Sequence, residues 1–151
     1  LLPNDIFDNP TAYKNSYPVG VLFDSSADIA KISATALAIK EVQARGGLDG
    51  QDIIAIQCNY EDDTEGLFGD GLTGRDAVTF GTQYLSETLD IPLIIGPAGS
   101  DDSIAAYDIV KSTDAALISP SATSEALTII DGIQKSDDLP RAAADHPFKT
   151  S

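Results

Sequence analysis

Two short turns hold the residues best suited to chemistry. Gly96-Pro-Ala-Gly-Ser100 and Ser119-Pro-Ser-Ala-Thr123 each follow an apolar run, Ile91-Pro-Leu-Ile-Ile95 and Ala115-Ala-Leu-Ile118. A hydroxyl both donates and accepts, and strand exits of open α/β sheets are where small polar ligands bind, so two such turns suit a ligand of that kind. Ser100 or Ser103 falls where a helix should begin, and the free backbone N–H groups of a helix start hold anions. A third hydroxyl-bearing turn, Asp24-Ser-Ser-Ala-Asp28, follows the apolar run Val19-Gly-Val-Leu-Phe23 and brings Ser25 into the candidate set. Ser and Thr also cap helices and close turns, and spacing alone does not separate that role from ligand binding.

The elements that must position these turns follow from hydrophobic periodicity. Val19–Phe23 predicts a strand. Ile29 to Arg45 predicts a helix, with Ile29, Ile32, Ala36, Ile39 and Val42 on one buried stripe and Gly46-Gly47 as its stop. Asp52 to Cys58 predicts the second strand, Asp76 to Leu89 a helix burying Ala77, Phe80, Tyr84 and Leu85, and Leu93 to Ile95 the third strand. Ser103 to Lys111 then reads as a helix and Ala116 to Ser119 as the fourth strand. Strand and helix alternate throughout, which argues for an α/β fold: a doubly wound parallel sheet with helices on both faces and right-handed crossovers. In the flavodoxin-like order 2-1-3-4, the switch point lies between the first and third strands, where such sheets bind ligands. The turns at 24–28 and 96–103 would face each other there, with 119–123 as the next neighbour.

The chain of 151 residues fits one domain. Leu1 to Tyr17, rich in Asn, Asp and Pro, predicts an irregular lead-in, and 18–151 a single lobe. Nine Lys and Arg against 24 Asp and Glu give a net charge of -15, which repels phosphate backbones and argues against nucleic acid as a partner. The single cysteine, Cys58, ends an apolar run and is expected as a core thiol. No apolar stretch approaches the roughly 18 residues of a membrane span. The chain opens without Met and without a charged and then apolar leader, so any export signal is expected to have been removed or never to have been present.

Other motifs lose force in context. Gly69-Asp-Gly-Leu-Thr-Gly74 matches G-x-G-x-x-G, but no strand precedes it, and Glu61, Asp62, Asp63, Glu65 and Asp70 would repel a pyrophosphate. The same acidic stretch misses the EF-hand ligand positions. His146, the only histidine, sits in Asp145-His-Pro-Phe148 and reads as a surface residue. There is no Gly-x-Ser-x-Gly elbow, and one His with one Cys makes no zinc site. The expectation is therefore no cofactor, no metal and no enzyme activity.

With these residues in view, the chain resembles the first lobe of type 1 periplasmic binding proteins, the branched-chain amino-acid receptor family of ABC transporters. The resemblance rests on Val19-Gly-Val-Leu-Phe23, Ala38-Ile-Lys-Glu-Val-Gln-Ala-Arg-Gly-Gly-Leu-Asp-Gly50, Ile95-Gly-Pro-Ala-Gly-Ser100 and Leu117-Ile-Ser-Pro-Ser-Ala-Thr-Ser-Glu-Ala-Leu-Thr128, and continues weakly through Leu139 to Asp145. It implies a small-molecule ligand, an amino acid or analogue, clamped between two lobes. The first lobe would hold the α-amino and α-carboxylate groups through Ser100, Ser121, Ala122 and Thr123, with Ser25 from the first turn. It further implies an ABC permease as partner, a periplasmic or extracytoplasmic location with a possible lipid anchor in the precursor, and a second lobe missing from this chain. A lobe parted from its mate should expose apolar surface and tend to self-associate. Two features depart from the pattern: the chain is about half the family's length or less, and Asp101 and Asp102 follow Ser100 directly, where they would suit the start of a helix. A sensor domain of the same fold, wired to signalling, and an α/β enzyme using the same crevice stay open as alternatives.

Overall fold

A computed structural model describes residues 15–60 and 74–128. Four strands, β1 (Tyr17–Phe23), β2 (Ile53–Asn59), β3 (Leu93–Ile95) and β4 (Ala116–Ile118), form one sheet in the order β2-β1-β3-β4. All three pairings are parallel. The expected doubly wound order is thus observed, with its switch point between β1 and β3. β1 starts at Tyr17, one residue inside the expected lead-in, because Tyr17 N–H donates to Asp52 O and opens the ladder with β2. The rest of that lead-in, the G-x-G-x-x-G stretch up to Thr73, His146 and the 139–145 segment lie outside the described residues.

Alternation along β1 builds two cores. Leu22 faces one side, where Val78, Leu85, Ile91, Ile94, Ala106 and Val110 close over it. Val21 and Phe23 face the other, with Ala55, Ala98, Ile32, Ile39 and Ile95. On Leu22's side, α2 (Gly74–Gln83) packs against α3 (Ser100–Val110). α1 (Ile29–Ala44) takes the opposite face by itself among the described elements. Right-handed crossovers dictate this split: the step from β1 to β2 runs one way along the sheet, and the steps from β2 to β3 and β4 run the other.

Four expectations about the helices are corrected. α1 buries no residue fully, and Ile29, expected in its buried stripe, is the first residue of the helix and is 62% exposed. The helix expected over Asp76–Leu89 begins at Gly74, and its last turn, Tyr84–Thr88, widens to a π-helix with Leu89 N–H reaching Tyr84 O. The buried hydroxyls of Thr82 and Ser86 donate to the carbonyls of Val78 and Thr82, four residues back, and this competition bends helices. Phe80, also expected inside, is 61% exposed and stacks on Tyr84 on the outer surface. α3 starts at Ser100, three residues before the expected Ser103, so Asp101 and Asp102 occupy its first turn. Cys58 is half-buried and packs on the Leu22 core, and that burial pushes its thiol pKa up.

Candidate functional site

The exits of β1, β2, β3 and β4 gather at one edge of the sheet, and their loops are tied together by side chains. After β1, the Asp24 carboxylate accepts from the N–H of Ser26, the hydroxyl of Ser26 and the N–H of Ala27, each at 2.8 Å. Burial pushes the Asp24 carboxyl up, but these bonds to Ala27 and Ser26 together hold it below the ordinary carboxylate value. Ser25 N–H donates to Asn59 Oδ1 at 2.8 Å, which fastens this turn to the end of β2.

The next residue, Tyr60, reaches across the switch point. Its hydroxyl donates to Asp28 Oδ2 at 3.2 Å, and the Ala98 backbone N–H points at the phenol oxygen. Burial, assisted by Asp28 and Asp102, pushes the phenol up to about 12. Asp28 is 6% exposed and also pairs with Lys31, so its charge is held from two sides. Asp102 stands nearby: burial first, then Asp101 and Asp28, raise its carboxyl, while Arg75 offsets part of the rise. Sequence reasoning passed over Tyr60 and Asp28. The signal was a tyrosine on the exit of β2, opposite the turn at 24–28.

After β3, Gly96 turns the chain with φ of 105°. A Cβ there would lie 2.0 Å from Leu22 O, so glycine is required on steric grounds alone. The cis Gly96-Pro97 bond follows, and Gly99 precedes α3 in extended conformation. The structure brings Ser100 and Thr123 together: Ser100 Oγ accepts the N–H groups of Thr123 and Ser124, both at 3.1 Å. Ser121 Oγ donates to Ala98 O at 2.9 Å, and Ala122 N–H donates to Ser119 Oγ at 3.2 Å. Ser25 stands apart from this group, on the β1–β2 side, linked to it through Asp28, Tyr60 and Ala98.

Hydroxyl accounting defines what the crevice can do. A serine has one hydrogen to give and two lone pairs. Ser100 has both lone pairs filled by backbone N–H groups, and its own hydrogen finds no acceptor among the described residues, so it can only donate to an incoming group. The Thr123 hydroxyl has no partner among the described residues and keeps both capacities. Ser121 has given its hydrogen to Ala98 and can only accept. Asp102, in the first turn of the helix that Ser100 starts, and Asp28, joined through Tyr60 to Ala98, add negative charge to this edge of the sheet.

An apolar hollow of about 370 Å³ lies elsewhere, between α1 and the sheet, lined by Val19, Ile39, Val42, Ile53, Leu93 and Ile95 among others. None of the hydroxyls named above reaches it. Among the described residues no helix is long and apolar enough to cross a membrane, and no group of His, Cys, Asp and Glu is arranged to hold a metal ion.

No family model matches the sequence, and no curated protein matches it either. Solved structures do. The chain is similar to the branched-chain amino acid transporter substrate binding protein LivJ from Streptococcus pneumoniae, determined in complex with isoleucine, at 27% identity and a TM-score of 0.61. That match covers 75% of this chain and 31% of LivJ. An ABC transporter substrate-binding protein from Desulfitobacterium hafniense in complex with Leu matches the fold over the same shares of each chain, at 24% identity and a TM-score of 0.61. A solute binding protein of an ABC transporter from Rhodopseudomonas palustris, in complex with 3,4-dihydroxy benzoic acid, matches the fold at 16% identity and a TM-score of 0.58, over 76% of this chain and 30% of that one. The chain therefore spans less than a third of the length of these structures.

Proposed function

We propose, from the premise that this chain has the fold of a type 1 periplasmic binding protein lobe, that it is the first lobe of a solute-binding protein and recognises an amino acid or similar small polar molecule for ABC-type uptake. It binds the solute without transforming it. The observation that carries this reading is the meeting of Ser100 and Thr123 across the exits of β3 and β4, next to the switch point between β1 and β3, with the Ser100 hydroxyl restricted to donating and the Thr123 hydroxyl free. A carboxylate takes both donors, and the ligand's amino group turns toward the acidic side of the crevice at Asp28 and Asp102. Ala122 contributes backbone and Ser25 closes the crevice from the first turn. The isoleucine and leucine bound in similar structures support an amino acid, and the dihydroxybenzoate supports the shared need for a carboxylate.

In the whole receptor a second lobe closes over the ligand by hinge motion and presents the closed form to a permease outside the cytoplasm, with a lipid anchor in the precursor. Calorimetric titration of the full-length receptor with each standard amino acid tests the reading. The expected result is a clear binder whose affinity falls about tenfold or more in Ser100→Ala and in Thr123→Ala, since a hydrogen bond to a charged group contributes roughly 1.5–3 kcal/mol. Failure of every amino acid to bind, or unchanged affinity in both variants together with lower unliganded stability, would overturn it.

A further inference from the structure

The three consecutive carbonyls at the exit of β3 each receive a serine hydroxyl. Pro97 O accepts from Ser119 Oγ at 2.6 Å and, at the longer distance of 3.3 Å, from Ser103 Oγ. Ala98 O accepts from Ser121 Oγ at 2.9 Å, and Gly99 O from Ser103 Oγ at 2.7 Å. In the reverse direction, Ser100 Oγ accepts from Thr123 and Ser124, and Ser119 Oγ accepts from Ala122. The backbone does not make this connection. β3 and β4 pair only as far as Ile95 and Ile118, and Gly96 N–H to Ile118 O, at 2.8 Å, extends the ladder by one bond. Beyond it, hydroxyls alone join the two exits among the described residues.

We propose that Ser119 and Ser121 are positioning residues: they clamp the backbone of 122–124 to the start of α3, and this clamp delivers the N–H groups of Thr123 and Ser124 to Ser100. The inference rests on the reading of this crevice as the ligand site only for its functional consequence, not for the clamp itself. Ser119 uses its hydrogen on Pro97 and a lone pair on Ala122, so one side chain spans both exits. Ser121 adds a second bond of the same sense, one residue further along the β3 exit and two further along the β4 exit. Together they fix where the Ser100 and Thr123 hydroxyls stand relative to one another before any ligand arrives, and a preformed pair loses less freedom on binding.

Amide hydrogen exchange on this chain without ligand tests the clamp. Ser100→Ala removes the acceptor, so the Thr123 and Ser124 amides should exchange about tenfold faster. Ser119→Ala and Ser121→Ala touch neither amide, yet both should accelerate the same two by a similar factor, while Val21 and Leu22 in the central strand keep their rates. Ser119→Thr, which retains the hydroxyl, should restore slow exchange. Wild-type rates at Thr123 and Ser124 in both alanine variants would overturn the proposal. Should an alanine variant fail to fold, Ser119→Val against Ser119→Thr poses the same question at constant shape: fast exchange in the valine variant alone supports the clamp, and equal rates overturn it. Leucine titration adds the functional arm: Ser121→Ala should weaken leucine binding and Ser121→Thr should restore it. A wild-type receptor that does not bind leucine or any other amino acid would count against the proposed function, while the exchange rates would still decide the clamp.

Discussion

Asp24 and Asp102 stand at opposite exits of the same crevice, and the fold treats their charges in opposite ways. Asp24 is held below its ordinary value because, despite burial, its carboxylate collects bonds from Ala27 and Ser26. The charged form is thus favoured by folding: its stabilisation is present above the unfolded value near pH 3.9 and is lost as pH falls toward the lower folded value. Asp24→Ala should cost about 1 kcal/mol at pH 7, and the gap should narrow below about pH 4. Asp102 is raised by burial, Asp101 and Asp28, with Arg75 offsetting part of it, so its charged form is penalised by folding. That penalty is absent below the unfolded value and grows as pH rises through the folded one. Asp102→Asn should therefore raise the melting temperature at pH 7 by about 1–2 °C, with the gain vanishing below about pH 4. Urea and thermal unfolding of both variants at pH 7 and pH 3 would check the two signs. A destabilised Asp102→Asn at neutral pH would mean that the favourable interaction with the α3 start outweighs the repulsion.

At the scale of elements, the strands were legible because β1 and β2 are bounded by turn formers and β3 and β4 end at Gly-Pro and Ser-Pro. The observed order 2-1-3-4 is the flavodoxin-like one among the doubly wound orders that alternation and crossover handedness allow. What the sequence concealed was contact made across the chain. Phe80 fits the period of a buried face, but only the position of α3 beside α2 decides which stripe is covered, and it leaves Phe80 outside. Ile29, on the other face, is left outside at the first residue of α1. The hydroxyls of Ser100, Ser119 and Ser121 were visible as types and spacing, but not the direction of their bonds, which depends on two loops meeting 22 to 24 residues apart. Gly96 illustrates how an element boundary can be sharper than its sequence suggests. Gly50 has φ of 80° with open space around it, whereas Gly96 has φ of 105° and backbone from β1 in the way. Gly50→Ala should cost about 1 kcal/mol, while Gly96→Ala should cost about 4 kcal/mol or leave the chain unfolded. Equal melting temperatures for the two variants would show that the β3 exit can move away from Leu22 without loss.

Over the whole molecule, charge competes with burial. The net charge is -15, and the ion pairs among the described residues are three local contacts: Lys31–Asp28, Arg45–Glu41 and Lys111–Asp108. Arg45–Glu41, at 3.9 Å between exposed side chains, is of the kind that adds little to stability. With 24 acidic side chains against nine basic ones, salt has more repulsion than attraction to screen. The acidic residues at the crevice add to that repulsion where the loops of 24–28 and 96–103 converge. Raising sodium chloride from about 10 mM to about 300 mM shortens the screening length from roughly 30 Å to well under 10 Å, and self-repulsion that opposes the compact state should weaken accordingly. The melting temperature should rise by a few degrees, about 2–4 °C for each kcal/mol gained in a domain of this size. Choline chloride at equal ionic strength should give the same rise, because screening does not depend on which cation supplies it. A fall in melting temperature with salt would mean that attractive pairs dominate the charge balance, and a rise with sodium but not choline would point to a bound ion instead of screening.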